Sequence, residues 1–341
     1  RRGAWLRCET GSGFESLTDS QVRQHYLRIS KMWFKNLRLY RLADTFSTTA
    51  ADLEKAVGAS RFEHCSGQNT SSSGFVSPFG HRSESLVFSG QQQLIVTARF
   101  EKKVIPPSVI TDETQKVLDA EEQQTGRKPK KSDRARAREA VLGKLIPQAF
   151  AIHSDVSVWL DLDQHLVIVD TSSSKKAEDT LSLLRKALGS LPVQPAETKD
   201  SVSTALTNWV LEGGSTVEGV MVTNEVTLSG TGDDNAVISA KKQDLFTDAI
   251  ANLVKNDKVV TKLGLSCKDG EMEFVIEDDF SIKRLKLADE LKNGGESDAG
   301  NEDPVVRATT DYTIMTGLLS KTISDLAGAF GGIKPFSENG D

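Results

Sequence analysis

Residues 157–170, "SVWLDLDQHLVIVD", decide how the chain is read. Apolar side chains alternate on both sides of Asp163-Gln164, which predicts two short strands joined by a tight turn. Val156, Val158 and Leu160 share one face of the first strand, and Leu166 and Ile168 share a face of the second. So short a turn can join only antiparallel strands, because a parallel crossover needs about a dozen residues.

The same pattern extends outward. "SLVFSGQQQLIVTARFEKKVI" (85–105) predicts two strands around a Ser89-Gly90 turn, ended by Pro106-Pro107. "MWFKNLRLYRL" (32–42), "VMVTNEVTLSG" (220–230) and "NAVISAKKQ" (235–243) read as strands. So does most of 258–289, with a turn at Lys268-Asp269-Gly270. Helices are expected at 48–58 (capped by Thr48 or Thr49), 175–188 (Ser174 as cap, Gly189 as stop), 204–213, 247–256 (Thr247 as cap) and 313–329. Two more helices are predicted on either side of "GRKPKKS": one capped by Thr111, the other capped by Ser132 or Asp133 and ended by Pro147. Val117 and Leu118 then meet Val141, Leu142 and Leu145. The fold class is α+β, with mainly antiparallel sheets and a protruding helical hairpin.

The chain has 341 residues, a net charge of -6 and 38% apolar residues, a composition that fits a globular fold. No apolar run approaches the roughly 18 residues of a membrane span. Cys8, Cys65 and Cys267 lie far apart without a CxxC, a pattern of structural thiols in a reducing compartment. The first methionine is Met32, where strand patterning begins. Residues 1–31 contain no continuous apolar segment of a secretion signal, and they read as an appended extension.

No motif specifies catalysis. His25, His64, His81, His153 and His165 show no paired metal spacing, and the neighbours His64 and Cys65 read as structural. Ser172, Ser173 and Ser174 read as loop and cap. "SGTGDD" (229–234) lacks the following lysine-bearing helix of a phosphate loop. "DLD" (161–163) and "EDD" (277–279) offer carboxylates for a cation, but both fit turns, where Asp is favoured by backbone hydrogen bonding. No cofactor or metal site is expected; nucleic-acid binding, a protein-interaction or structural role, and an enzyme such as a metal-dependent nuclease using "EDD" all stay open on the residues alone.

What remains is segregated charge. Residues 127–144 hold eight Lys/Arg against two acids, and 289–311 hold seven acids against two bases. Lys175 and Lys176 open a helix, where free N–H groups and the dipole already favour an anion. Lys241 and Lys242 lie at a strand end, so alternation places Lys241 with Gln243 and Lys242 on the opposite face. Lys255, Lys258, Lys262, Lys283, Arg284 and Lys286 recur among apolar strands, a pattern that solvated sheet edges also produce.

Several stretches together resemble the bacterial recombination-associated RdgC family: "MWFKNLRLYRL", "VSPFG", "ARFEKKVIPPSVI", "LIPQAF", "SKKAEDTLSLLRKALGSLPV", "ISAKKQDL", "KVVTKLGL", "SIKRLKLADEL" and "DYTIMTGLLSKTISDL". The resemblance covers Met32 to about Phe330. It implies a non-enzymatic protein that binds double-stranded DNA with little sequence preference and restrains RecA-driven strand exchange. It also implies a ring-forming subunit of a homodimer, cytoplasmic and nucleoid-associated. The resemblance divides the chain into a central sheet-rich region (32–108 and 148–210), a hairpin tip (109–147), a base (211–330) and a tail (331–341). Phe150 matches a subunit contact. Arg127, Lys242 and Gln243 match positions that affect DNA binding; Lys128, Lys175, Lys176 and Lys241 join them as candidate phosphate contacts. The resemblance pairs Gln243 with Lys242, whereas strand alternation pairs it with Lys241. The two agree only if the strand ends or bulges there.

Overall fold

The computed structural model describes residues 33–230, 236–267, 270–289 and 303–337. The expectations for 1–31, for most of "SGTGDD", for the turn at Lys268-Asp269 and for the acidic stretch 290–302 lie outside the described residues.

The "SVWLDLDQHLVIVD" stretch forms β5 (Phe150–Asp161) and β6 (Leu166–Val169), antiparallel neighbours with Val158 opposite Val169 and Asp161 opposite Leu166. The turn between them holds because the Asp161 carboxylate accepts the Gln164 N–H at 3.0 Å and His165 takes a positive φ of 50°. They belong to a seven-stranded antiparallel sheet with β1 (Arg38–Leu42), β2 (Ser71–Val76), β3 (Val87–Gly90), β4 (Gln93–Val104) and β7 (Val193–Pro195). The strand order is β2-β4-β5-β6-β1-β7, with β3 also on β4. A second sheet has the order β12-β11-β10-β8-β9: β8 (Val220–Gly230), β9 (Val237–Lys241), β10 (Lys258–Cys267), β11 (Met272–Glu277) and β12 (Ile282–Leu287). It too is antiparallel throughout.

Both faces of the first sheet are buried. Val156, Val158 and Leu160 point into a core with Leu53, Val57, Leu181 and Leu184, which come from α1 (Ala50–Gly58) and α4 (Ser174–Leu188). Leu166 and Ile168 point the other way, with Trp159 and Ile95, into a larger core shared with the second sheet. The faces match the alternation of the sequence. Each fully buried Leu or Ile stabilises by roughly 1.5–3 kcal/mol, so a one-residue register slip would exchange the two cores.

Residues 33–37 join the sheets. Leu37 bridges Ile282, and Lys35 O accepts the Leu285 N–H at 2.8 Å, before the chain enters β1. The long α7 (Pro304–Ala329) packs Tyr312, Met315, Leu319, Ile323 and Leu326 into the larger core. Its Tyr312 hydroxyl donates to Pro78 O at 3.0 Å, and the ring packs against Phe79 and Phe88, which explains the "VSPFG" stretch. Ser320 of α7 donates to the buried Asp161 at 2.8 Å. The remaining helices are α2 (Pro107–Thr125), α3 (Lys131–Leu145), α5 (Val202–Glu212) and α6 (Asp248–Lys255).

Local corrections to the sequence reading have physical causes. The β3–β4 turn lies at Gln91-Gln92, not Ser89-Gly90; both glutamines have positive φ, 42° and 57°, the geometry of a two-residue hairpin turn. Helix α2 starts at Pro107 rather than near Thr111, because proline at the first helical position has φ preset and needs no N–H partner. The Thr111 hydroxyl donates instead to Pro107 O inside the helix. Helix α3 starts at Lys131, and Asp133 acts from its first turn by accepting the Lys130 N–H at 2.9 Å. The cap of α4 is Ser173, which accepts the Lys176 N–H; Ser174 is already helical. Among the described residues, no helix is long and apolar enough to cross a membrane.

Candidate nucleic-acid interface

The predicted site residues fall in four places. At the α2–α3 turn, Gly126 takes φ +64° and gives its N–H to Glu122 O, which reverses the chain. Leu118, Ala137 and Val141 are buried between the two helices, and Arg136 pairs with Glu121 at 3.2 Å. Arg127 pairs with Asp133 at 3.1 Å; Lys128 is exposed. Hydrogen bonding from the Lys130 N–H, with Arg127 and Arg136 nearby, holds the Asp133 carboxyl below its ordinary range.

At the opening of α4, Lys175 is exposed and Lys176 half-buried. The first turn contains no acid, while Ala177, Thr180, Leu181 and Leu184 anchor the helix to the sheet. With the Lys176 and Ala177 N–H groups taken by Ser173, the two amides before them are offered together with two ammonium groups.

At the end of β9 the structure separates the lysine pair. Lys241 is the last strand residue, opposite Glu225 of β8, and its ammonium lies 3.2 Å from that carboxylate. Lys242 then takes φ +57°, so alternation stops there. Lys242 and Gln243 are both exposed, and no carboxylate of the described residues lies within ion-pair distance of Lys242. The conflict between strand alternation and the family resemblance dissolves, because the strand ends before Gln243.

Phe150 starts β5 and is 87% exposed. It lies opposite Val104, with Ile152 two residues further on the same face. All three continue, beyond the edge of the core, the face that carries Ala98 and Val156. An exposed aromatic at the head of an apolar row is a chemistry suited to contact with another protein surface.

Other cations proved to be held by acids. Glu277 accepts Lys262 at 2.8 Å and Lys283 at 2.5 Å. Desolvation opposes ionisation of Glu277, but the two lysines outweigh it and keep the carboxyl below its usual range. Arg284 of β12 reaches Glu225 at 2.6 Å, so this carboxylate carries two cations. Again desolvation is outweighed, here by Arg284 and Lys241. Sequence reading grouped Lys262, Lys283 and Arg284 with solvated edges. Only the registers, with Lys262 opposite Glu277 and a break beside Arg284, reveal the pairs.

Two of the "EDD" carboxylates, Glu277 and Asp279, are engaged within the protein. Asp279 accepts the Ser281 N–H at 3.0 Å and pairs with Arg38 at 3.1 Å. Burial and the charge of Asp279 push the Asp278 carboxyl up. His64 and Cys65 form a clasp: Glu101 accepts the Cys65 N–H at 2.7 Å and lies 2.8 Å from His64 Nδ1. Those contacts hold the Glu101 carboxyl down to about 2. Among the described residues, no group of three or more His, Cys, Asp or Glu side chains is placed to hold a metal ion.

Comparison with known proteins adds to this geometry. The profile of a family described as "Putative exonuclease, RdgC" matches residues 32–333. Proteins named recombination-associated protein RdgC from Salmonella typhimurium (strain LT2), Salmonella typhi and Salmonella newport are each 40% identical over 301 residues. That span is 88% of this chain and 98% of each relative. The span of the match, running through both sheets and α7, shows that this chain belongs to the RdgC family.

Proposed function

We propose that the protein binds double-stranded DNA without sequence preference, as a homodimer, and thereby restrains RecA-promoted strand exchange during recombination. The observation that carries this reading is Lys242, an exposed ammonium held outside the strand alternation and next to exposed Gln243. A cation with no carboxylate of the described residues in ion-pair reach neutralises a phosphate at little electrostatic cost. Lysine on phosphate positions a protein on DNA and carries no base information. Lys128, Lys175 and Lys176 supply further cations, and Arg127 contributes despite its pairing with Asp133. Only 6% of residues are aromatic, and none of the candidate DNA-contact positions is, which does not favour stacking on single-stranded bases.

In this reading α2 and α3 form a protruding hairpin at the tip of a ring-forming subunit. Phe150 closes one contact between two copies, and duplex DNA lies in or across the basic opening. Encirclement blocks an invading filament by occupancy, with no bond made or broken. The protein works in the cytoplasm, associated with the nucleoid, with no cofactor.

The family description favours a second reading, a nuclease that uses Glu277, Asp278 and Asp279. Incubation of linear and nicked DNA with the protein and Mg²⁺ or Mn²⁺ decides between them. The binding reading expects intact DNA and a mobility shift. Cation-dependent cleavage that is lost in Asp278→Asn would replace it. Direct capping of the RecA filament is the third reading: inhibition of strand exchange would then survive removal of the lysines.

A further inference from the structure

The five-stranded sheet has β9 and β12 as its edges. Lys241 comes from one edge and Arg284 from the other, yet both close on the same oxygen, Glu225 Oε1, at 3.2 and 2.6 Å. In a flat sheet β12 and β8 would lie three strand spacings apart, roughly 14 Å. The reach of the Arg284 and Glu225 side chains spans much of that distance, and irregularities that bend and twist the sheet help to close the rest. Register breaks in β10 at Val260/Lys262 and Leu263/Leu265 add bend and twist. Gly264 lies at the second break; a Cβ there would collide with Thr223 Oγ1 and crowd the Glu225 side chain. Arg284 is itself in a bulge at φ +54°, and its N–H donates to Asn36 Oδ1 at 3.3 Å. A non-glycine residue in that region is strained, and here the strain delivers a guanidinium to Glu225.

The charges at this point do not cancel. One carboxylate faces two cations, leaving a net charge of about +1. Both cations are half-exposed, with side-chain exposures of 58% for Lys241 and 52% for Arg284; Glu225 lies lower, at 23%. The carboxylate thus orients two donors that solvent can reach, and exposed Lys242 follows directly in the chain. Around Glu277, by contrast, Lys283 is only 22% exposed, and Asp278 and Asp279 next to Glu277 offset the charge of Lys283 and of the 47%-exposed Lys262, so the group reads as structural.

We propose that Lys241 and Arg284, aligned by Glu225, form a phosphodiester-binding site across the two edges of the sheet. Arg284 is its further binding residue, because a guanidinium fork matches a phosphate as well as a carboxylate. The proposal rests on the duplex-binding reading.

The test is a salt titration of binding to short duplexes of mixed sequence, with a thermal melt of each variant. Arg284→Ala weakens binding roughly threefold or more near 0.1 M salt, and its log–log slope is shallower by about 0.9. Glu225→Gln acts in the opposite direction, with tighter binding and a steeper slope. If Arg284→Ala fails to fold, the Glu225→Gln result carries the test alone. Glu197→Gln, which removes an exposed carboxylate paired, among the described residues, with Lys334, is the control and changes neither quantity. If Arg284→Ala binds like wild type, or Glu225→Gln matches Glu197→Gln, while Lys242→Ala still weakens binding, this proposal is overturned and the duplex reading stands. If the wild-type protein shows no salt-dependent duplex binding, the duplex reading fails and takes this site with it.

Discussion

Lys241 and Lys242 are adjacent in sequence but do different things: Lys241 ends β9 with its ammonium 3.2 Å from Glu225, and Lys242 leaves the strand at φ +57° with its side chain exposed. An L-residue at such a φ is strained by roughly 1 kcal/mol relative to glycine. Lys242→Gly and Lys242→Ala should therefore lose the same duplex affinity, since both lose the charge, but differ in stability. Denaturant unfolding should place the glycine variant about 1 kcal/mol above the alanine variant. Equal midpoints would contradict the left-handed conformation at this position.

Phe150 offers a separate handle on assembly. Its side chain is 87% exposed and lies opposite Val104, so replacing it removes almost no core packing. Phe150→Ser should leave unfolding of the subunit unchanged to within about 0.5 kcal/mol. It should weaken self-association by roughly 30-fold, the effect of a central aromatic contact of about 2 kcal/mol. Sedimentation over a dilution series reads this directly; an unchanged dimer at low concentration would remove Phe150 from the interface.

Glu101 gives a pH signature. Its carboxyl is held down to about 2 by the Cys65 N–H and by His64. A depressed carboxyl contributes stability that is complete above its unfolded value, near 4.3, and is lost as pH falls through its folded value. Wild type should therefore be more stable than Glu101→Gln at neutral pH. That advantage should shrink from about pH 5 and vanish near pH 2. A stability difference independent of pH across this window would show that the clasp does not depend on the charge of Glu101.

The β3–β4 turn is an accessible target for stabilisation. Gln91 and Gln92 both adopt positive φ, where Asn-Gly is the favoured pair in two-residue turns. Replacing them with Asn-Gly should raise stability by about 1 kcal/mol in denaturant melts and leave duplex binding unchanged. A loss of stability would mean that the glutamine side chains contribute contacts that outweigh the backbone strain.

How much of this was legible in the sequence depends on the range of the interactions involved. The β5–β6 hairpin and the facing of Val158 against Ile168 were legible because alternation is local and both faces of the sheet are buried. Helix starts slipped where a stronger local signal competed, as with Pro107 against Thr111 and Ser173 against Ser174. The charge pairs were not legible. Glu225 of β8 meets Arg284 of β12 across the two strands between them, and no spacing in the chain encodes that contact. The family resemblance pointed to Lys242 and Gln243, but it did not say that the strand ends at Lys241.

The most direct test of the central claim is the salt dependence of duplex binding by wild type and Lys242→Ala on several unrelated sequences. The expected result is a uniform loss of affinity on every sequence and a log–log slope shallower by about 0.9, the signature of one lost phosphate contact. A loss confined to particular sequences, or no change in slope, would contradict the assignment of Lys242 to the DNA backbone.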